Sequence, residues 1–299
     1  MSGSTSLGTQ VALAGVSNAF AASFTNPIDV VKVRLQMAGE GSRSGGTSRG
    51  VLGEGAFIAQ SEGFSGLYRG LSASLVRELS YSGIRMGAYE PVKQQLFGAT
   101  DPANTPLYVK VVSGALTGCF GSALANPFDL VKVRMQRATG APPYPNVVAA
   151  LSAIIRDEGG VAGLWRGATP TIQRATLLTA SQVPSYDHAK HFVIDNGHMR
   201  EGYFCHFVCS MFAGVVAAAV TSPSDLVKSR MMVQPLDPAT GRGTLYASTT
   251  ECYLQVMRTE GPLALFKGFH SQWLRIGPHT TVSLMAFEQL RHLVGMAYL

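Results

Sequence analysis

The chain has 299 residues, of which 46% are hydrophobic, 14% charged and 9% aromatic, a balance that excludes an intrinsically disordered chain or a collagen-like fibre. Its mean hydropathy of +0.16 is too apolar for most soluble domains. Twenty-four Lys and Arg against eighteen Asp and Glu leave a formal charge of +6, which fits an anionic partner, whether solute, lipid head group or nucleic acid.

The first thirty-one residues contain no Lys or Arg, so neither the basic start of a secretory signal nor the Arg-rich pattern of a transit peptide is expected there, and any address should be internal. An apolar stretch rich in small residues, VALAGVSNAFAASFTN from Val11, then leads into the octamer PIDVVKVR at Pro27. The octamer returns as PFDLVKVR at Pro127 and PSDLVKSR at Pro223. A second marker follows each copy: EGFSGLYRG from Glu62, EGGVAGLWRG from Glu158 and EGPLALFKG from Glu260. A third follows that: YEPVK from Tyr89, YDHAK from Tyr186 and FEQLR from Phe287. Nine matches in fixed order define three tandem repeats of about a hundred residues. We divide the chain into 1–100, 101–200 and 201–299, at the polar stretches around Asp101–Thr105 and His198–Gly202.

Each repeat predicts the same elements. A long helix whose small residues allow close neighbours runs into the octamer and should kink at its proline. In the first repeat a Gly- and Ser-rich loop follows, from Gly39 to Gly50. A short amphipathic helix then precedes each Glu-Gly pair, as in VVAALSAIIRD from Val147. A second long helix starts at Gly70, Gly167 or Gly268 and continues to the third marker, long enough to span a membrane at ~1.5 Å per residue. The expectation is an all-α membrane protein with six transmembrane helices, pseudo-threefold symmetry and three short extra helices. The long helices carry more polar residues than lipid tolerates, so their polar sides should face a water-filled axis. A soluble helical repeat protein is the competing architecture. Stretches such as FVCSMFAGVVAAAV from Phe207 offer water little polar face, and three interior prolines suit a solenoid poorly.

Arg77, Arg174 and Arg275 each stand seven residues beyond the glycine that opens a second helix, and thirteen residues before Glu90, Asp187 and Glu288. They therefore share one depth, and the thirteen residues onward, about 20 Å of helix at ~1.5 Å per residue, place the expected anion site at mid-membrane. Arginine at membrane depth marks a solute path, and planar guanidinium groups grip carboxylate, sulfate or phosphate in bidentate fashion. Aligning the repeats sets Arg85 against Gln182 and Ser283, Tyr81 against Leu178 and His279, and Glu78 against Ala175 and Ile276. Arg77, Tyr81 and Arg85 form a stripe on one helix face. Arg85 adds positive charge, which Glu78 offsets in part.

With these markers the sequence resembles the mitochondrial carrier family over its whole length. The resemblance implies six transmembrane and three matrix helices around a central site, the mitochondrial inner membrane as location, internal targeting signals and alternating access. Within each octamer the acid precedes the base by three positions, on one helix face. By resemblance Asp29, Asp129 and Asp225 pair with Lys32, Lys132 and Lys228 of neighbouring repeats to close the matrix side, with Gln36 and Gln136 as braces and Met232 at the third brace position. Glu90, Asp187 and Glu288 with Lys93, Lys190 and Arg291 resemble the cytoplasmic gate, braced by Tyr89 and Tyr186; Phe287 lacks the hydroxyl. The competing reading is that these pairs merely stabilise helix ends, at ~0.2–0.5 kcal/mol each.

The segments VRELSYSGIRMGAYE, TASQVPSYDHAK and WLRIGPHTTV most resemble the branch holding dicarboxylate, oxoglutarate and oxaloacetate carriers and the uncoupling proteins. Arg77, Arg85, Arg174 and Arg275 match arginines shared across that branch, and with Tyr81, Gln182 and His279 they make the expected solute site. Gln182 replaces a glutamate linked to pH sensing in uncoupling proteins, and RIGPHT resembles the oxoglutarate and oxaloacetate carriers. Glu78 departs from the glutamine usual beside the first arginine.

The tripeptides Tyr68–Gly70, Trp165–Gly167 and Phe266–Gly268 place backbone amides at a helix start, where phosphate is attracted. The resemblance makes that lipid cardiolipin; plain interfacial anchoring is the alternative. No P-loop appears, His188 and His191 lack a further metal ligand, and no nucleophile triad has a local signature. The basic residues alternate with acids instead of forming a stripe, so nucleic-acid binding is not expected. The four cysteines, Cys119, Cys205, Cys209 and Cys252, read as packed free thiols. The expectation is therefore a monomeric antiporter of small dicarboxylates or oxoacids such as malate, succinate, oxoglutarate or oxaloacetate, with phosphate and sulfate as further candidates, without cofactor or metal. Its rivals are a proton leak of the uncoupling type and a membrane enzyme or scaffold using the same fold.

Overall fold

The computed structural model describes residues 7–38, 50–98, 106–195, 203–237 and 243–294, so the proposed division points and most of the Gly39–Gly50 loop lie outside the described residues. Among the described residues the first repeat supplies α1 (Leu7–Met37), α2 (Val51–Glu62) and α3 (Leu71–Phe97). The second supplies α4 (Leu107–Arg137), α5 (Val147–Asp157) and α6 (Ala168–Asp195), and the third α7 (Tyr203–Val233), α8 (Thr249–Thr259) and α9 (Phe269–Leu293). A single 3-10 turn links each short helix to the long one after it. The layout is the all-α arrangement of six long and three short helices expected above.

The long helices close into a ring, α1 against α3, α3 against α4, α4 against α6, α6 against α7, α7 against α9 and α9 back against α1. Pro27, Pro127 and Pro223 lie inside α1, α4 and α7, each helix continuing through them to the end of its octamer. Interior prolines also occur in α3, α6 and α9, as Pro91, Pro184 and Pro278.

Which side meets lipid follows from exposure. Val16, Phe20 and Phe24 on α1 and Leu116, Phe120 and Leu124 on α4 are all exposed, at steps of four residues along one helix face. Phe212 and Val220 repeat that face on α7. In water such stripes would be costly, and in a bilayer they are the favoured outer surface. Two of the long helices, through Tyr108–Arg137 and Val208–Val233, are apolar enough on average to span a membrane.

The short helices end the ring on the octamer side. Val147–Asp157 has its apolar face on the core, with Ala150 and Ile154 fully buried against Leu130, Met135 and Leu164, and burial of a side chain the size of Ile154 contributes ~1.5–3 kcal/mol. Asn146 caps it by accepting from the Ala149 amide at 2.7 Å, and Ser248 caps α8 by accepting from the Glu251 amide at 3.2 Å. The glycine that opens each second long helix is left-handed, with φ of 70° at Gly70, 73° at Gly167 and 88° at Gly268. It also approaches the next repeat closely. A Cβ there would meet Gln136 Cγ at 3.2 Å from Gly70, Met232 Cγ at 2.7 Å from Gly167 and Gln36 Cγ at 3.1 Å from Gly268. The site therefore needs glycine for backbone conformation and for space.

Candidate functional site

Three ion pairs join the octamers in a cycle. Lys132 Nζ reaches Asp29 at 2.8 Å, Lys228 reaches Asp129 at 2.7 Å and Lys32 reaches Asp225 at 2.7 Å. Every pair crosses between repeats, because the three-residue offset points acid and base of one helix to opposite neighbours around the axis. The three aspartates are all buried, between 3% and 5% exposed.

The aspartates hold a second cation each. Arg275 Nη1 lies 2.9 Å from Asp29, Arg77 Nε 3.1 Å from Asp129, and Arg174 Nε bonds Asp225. The three arginines thus share one level, as the count along the sequence indicates. They stand directly on the octamer pairs, however, and not midway to the opposite end. A small cavity of about 70 Å³ lies among these groups, lined by the three aspartates, three lysines and three arginines together with Gln36, Gln136 and Ser229.

Six cations, Lys32, Lys132, Lys228, Arg77, Arg174 and Arg275, thus face four carboxylates, the three aspartates and Glu78. Two positive charges remain unbalanced. Glu78 is buried and takes Arg77 Nη1 at 2.5 Å.

The glutamines occupy a different place from the one expected of braces. Gln36 Oε1 accepts from Ser229 at 2.7 Å and Gln136 Nε2 donates to Asn26 Oδ1 at 3.3 Å, so both cross a repeat boundary without bonding a lysine–aspartate pair. Met232 occupies the third position, where it packs under Gly167 as Gln136 packs under Gly70 and Gln36 under Gly268. The side chain that does support a pair is Gln272 of α9, whose Oε1 accepts from Lys32. The repeat alignment sets it against Ser74 and Thr171, neither of which reaches that far, and sequence reasoning missed it.

A second missed set carries more of the structure. Arg34, Arg134 and Arg230, the last residue of each octamer, grip Glu62, Glu158 and Glu260 of the Glu-Gly markers through paired bonds, for example Arg34 Nη1 and Nη2 to Glu62 at 2.7 and 2.8 Å. The same guanidiniums reach the C-terminal carbonyls of the next repeat's first helix: Arg34 to Ala138 at 2.9 Å, Arg134 to Met232 at 3.0 Å and Arg230 to Gln36 at 3.4 Å. Helix ends leave those carbonyls without partners, and a cation there is favourable. The signal was in the sequence, since both residues recur three times in register.

Glu62 is held below the usual carboxyl range by its bonds to Arg34, against the opposing effect of burial. At Glu260 burial alone would raise the value, and the bonds from Arg230 and Lys267 overcome it and lower it.

Above the arginines the predicted site residues separate. Tyr81 lies on the α3–α4 seam against Gly118 and Gly121, with Arg77 4.8 Å and Arg85 5.9 Å from its ring centre. Arg85 and Gln182 are exposed. His279 lines a cavity of about 180 Å³ with Arg174, Gln182, Gln272, Arg275 and Thr280, and its buried Nε2 has no hydrogen-bond partner among the described residues.

At the far end the picture differs. Among the described residues Asp187 and Glu288 form no ion pair, and Arg291 stacks 5.8 Å from the Phe287 ring with its Nε unpartnered. Lys93 is buried with its ammonium 5.8 Å from the Tyr89 ring, while Tyr186 and Lys190 are half-buried. The Glu90 side chain lies outside the described residues. The octamer end is therefore locked by its three ion pairs.

The family description "Mitochondrial carrier protein" matches the chain three times, over residues 3–100, 103–197 and 200–297. The chain is a mitochondrial carrier. Such carriers are multi-pass proteins of the mitochondrial inner membrane that transport small anionic metabolites. This carrier is 43% identical over 297 residues to "Mitochondrial substrate carrier family protein ucpB" of Dictyostelium discoideum, covering 99% of each chain. It is 38% identical to "Mitochondrial uncoupling protein 3" of Arabidopsis thaliana, covering 97% of this chain and 95% of that one. It is 36% identical to "Mitochondrial 2-oxoglutarate/malate carrier protein" of Mus musculus, covering 92% of this chain and 88% of the relative.

Proposed function

We propose that this carrier is an antiporter of small dicarboxylates or oxoacids, such as malate, succinate, oxoglutarate or oxaloacetate, with phosphate and sulfate as further candidates, working by alternating access. The observation that carries the reading is the excess of two positive charges where each gate aspartate is shared between a lysine and an arginine. A dianion entering from the open end offers the arginines a replacement partner. As Arg174 and Arg275 turn to the solute, Asp225 and Asp29 each lose one of two cations, and the octamer pairs lose part of what holds them. A transporter needs networks that a solute can break in this way. The six octamer residues would then form the matrix gate, and Glu90, Asp187, Glu288, Lys93, Lys190 and Arg291, with Tyr89 and Tyr186, the cytoplasmic gate.

In the same reading the protein works as a monomer with cardiolipin at the repeat boundaries. A cavity of about 510 Å³ bounded by Leu35, Val51, Leu52, Lys267 and Gly268 supports that assignment, since it joins an apolar wall to a helix N-terminus and an ammonium.

Similarity to the uncoupling protein of Arabidopsis thaliana favours a second reading, proton leak of the uncoupling type. Purified protein in liposomes preloaded with malate and challenged with labelled anions separates the two. Counter-exchange supports the antiporter. Fatty-acid-dependent proton flux without exchange replaces it with the second reading.

A further inference from the structure

Arg77 is occupied in a way that its two counterparts are not. Its Nη1 holds Glu78 at 2.5 Å, its Nε holds Asp129 at 3.1 Å, and its face lies 4.8 Å from the Tyr81 ring. Arg174 and Arg275 each hold one carboxylate, and their side chains are 20% and 24% exposed against 14% for Arg77. The cavity of about 180 Å³ opens beside Arg174 and Arg275 and excludes Arg77, Tyr81 and Arg85 from its lining. His279, with its partnerless Nε2, and Gln272 and Thr280 supply polar groups on that same side.

We infer that Glu78 is a specificity-determining residue, a built-in carboxylate that occupies Arg77 and confines the solute to a subsite between Arg174, Arg275 and His279, limiting the carrier to dianions. The proposal deepens the antiporter reading and rests on it. Charge and space both enter the argument. With Glu78 in place two positive charges remain, matching one dianion. Without its charge three remain and Arg77 is open on one edge, so a third carboxylate of the solute has a partner. The repeat alignment sets Glu78 against Ala175 and Ile276, so neither of the other arginines has a carboxylate beside it on its own helix. His279 is the polar group positioned to meet a hydroxyl or oxo oxygen of the bound dianion.

The test uses the full-length carrier, wild type and Glu78→Gln, with malate as dianion and citrate as trianion. Two readouts run together: exchange in malate-loaded liposomes, and the rise in Tm of the detergent-purified protein on adding each anion. The expected result is a shift of about tenfold or more in the citrate-to-malate preference of Glu78→Gln relative to wild type, the size of one close charge pair, seen in both readouts. Glu78→Asp, which keeps the charge, should stay near wild type. An unchanged preference in a Glu78→Gln protein that still binds malate overturns the proposal. A preference that shifts in the Tm readout while the wild type shows no exchange supports the role of Glu78 and contradicts only the antiporter reading. Parallel exchange by His279→Ala separates the second half of the subsite: loss of the malate-over-succinate preference supports it, and an unchanged preference removes His279 from it.

Discussion

Lys132→Gln perturbs the octamer lock at a single point, and its consequence depends on Asp29 being shared. Asp29 is 5% exposed and holds Lys132 at 2.8 Å and Arg275 at 2.9 Å. Stripping one partner from an isolated buried pair costs ~3–5 kcal/mol. Here Arg275 still neutralises Asp29, so the loss should be about half, ~2 kcal/mol of the locked state, and every ~1.4 kcal/mol is tenfold in its population. The assay is malate exchange in liposomes together with Tm in detergent. Exchange should fall by more than tenfold while the protein stays folded with a Tm lowered by ~3–6 °C. The reciprocal exchange Asp29→Lys with Lys132→Asp gives the sharper result. A two-member pair would be rescued by swapping its charges. In this geometry the introduced ammonium faces Arg275, so the swap should remain inactive and be less stable than Lys132→Gln alone. Rescue by the swap, or unchanged exchange in Lys132→Gln, refutes the shared-aspartate reasoning.

Gly167→Ala places a methyl 2.7 Å from Met232 Cγ at a backbone φ of 73°, and it should destabilise by ~1–3 kcal/mol; adding Met232→Ala should recover only the steric part, as read by Tm. Glu62 and Glu260 have folded values below their ordinary 4.5, so their pairs contribute fully above that pH and lose their contribution as pH falls through the lowered values. Tm in detergent should therefore drop on acidification, and Glu62→Gln should start lower at neutral pH and show a shallower drop. Arg275→Ala should abolish exchange and leave a folded protein, because Asp29 keeps Lys132; substantial residual uptake would take Arg275 out of the solute path.

The sequence exposes what repeats. Three octamers about a hundred residues apart set the six long helices, and three glycines in register set the starts of α3, α6 and α9, because only glycine tolerates a left-handed turn pressed against a neighbouring side chain. The depth of Arg77, Arg174 and Arg275 follows from counting along regular helices. What spacing could not show is which groups share a partner. That Asp29, Asp129 and Asp225 each bridge a lysine from one repeat and an arginine from another depends on the curvature of the ring and the reach of the guanidinium. Gln272 was hidden for the same reason: it supports Lys32 from a helix more than two hundred residues away. The Arg34–Glu62 tie and its two copies are visible as recurring residues, whereas their contacts with the carbonyls at the end of the next repeat's helix depend on how the repeats close into a ring.

The central claim is that the arginine level faces a wet passage open at one end and sealed at the other by the octamer pairs. Cysteine labelling tests it most directly, in a background where the four native cysteines are replaced. Single cysteines at Gln182, Thr280 and Ser229 would be exposed to a membrane-impermeant thiol reagent from each side in turn, with and without malate. The account predicts that Gln182→Cys and Thr280→Cys react from the open side and are protected by malate, while Ser229→Cys, inside the locked network, reacts from neither side until solute drives turnover. Equal labelling of all three positions, or reaction at Gln182→Cys and Thr280→Cys that malate leaves untouched, would contradict it.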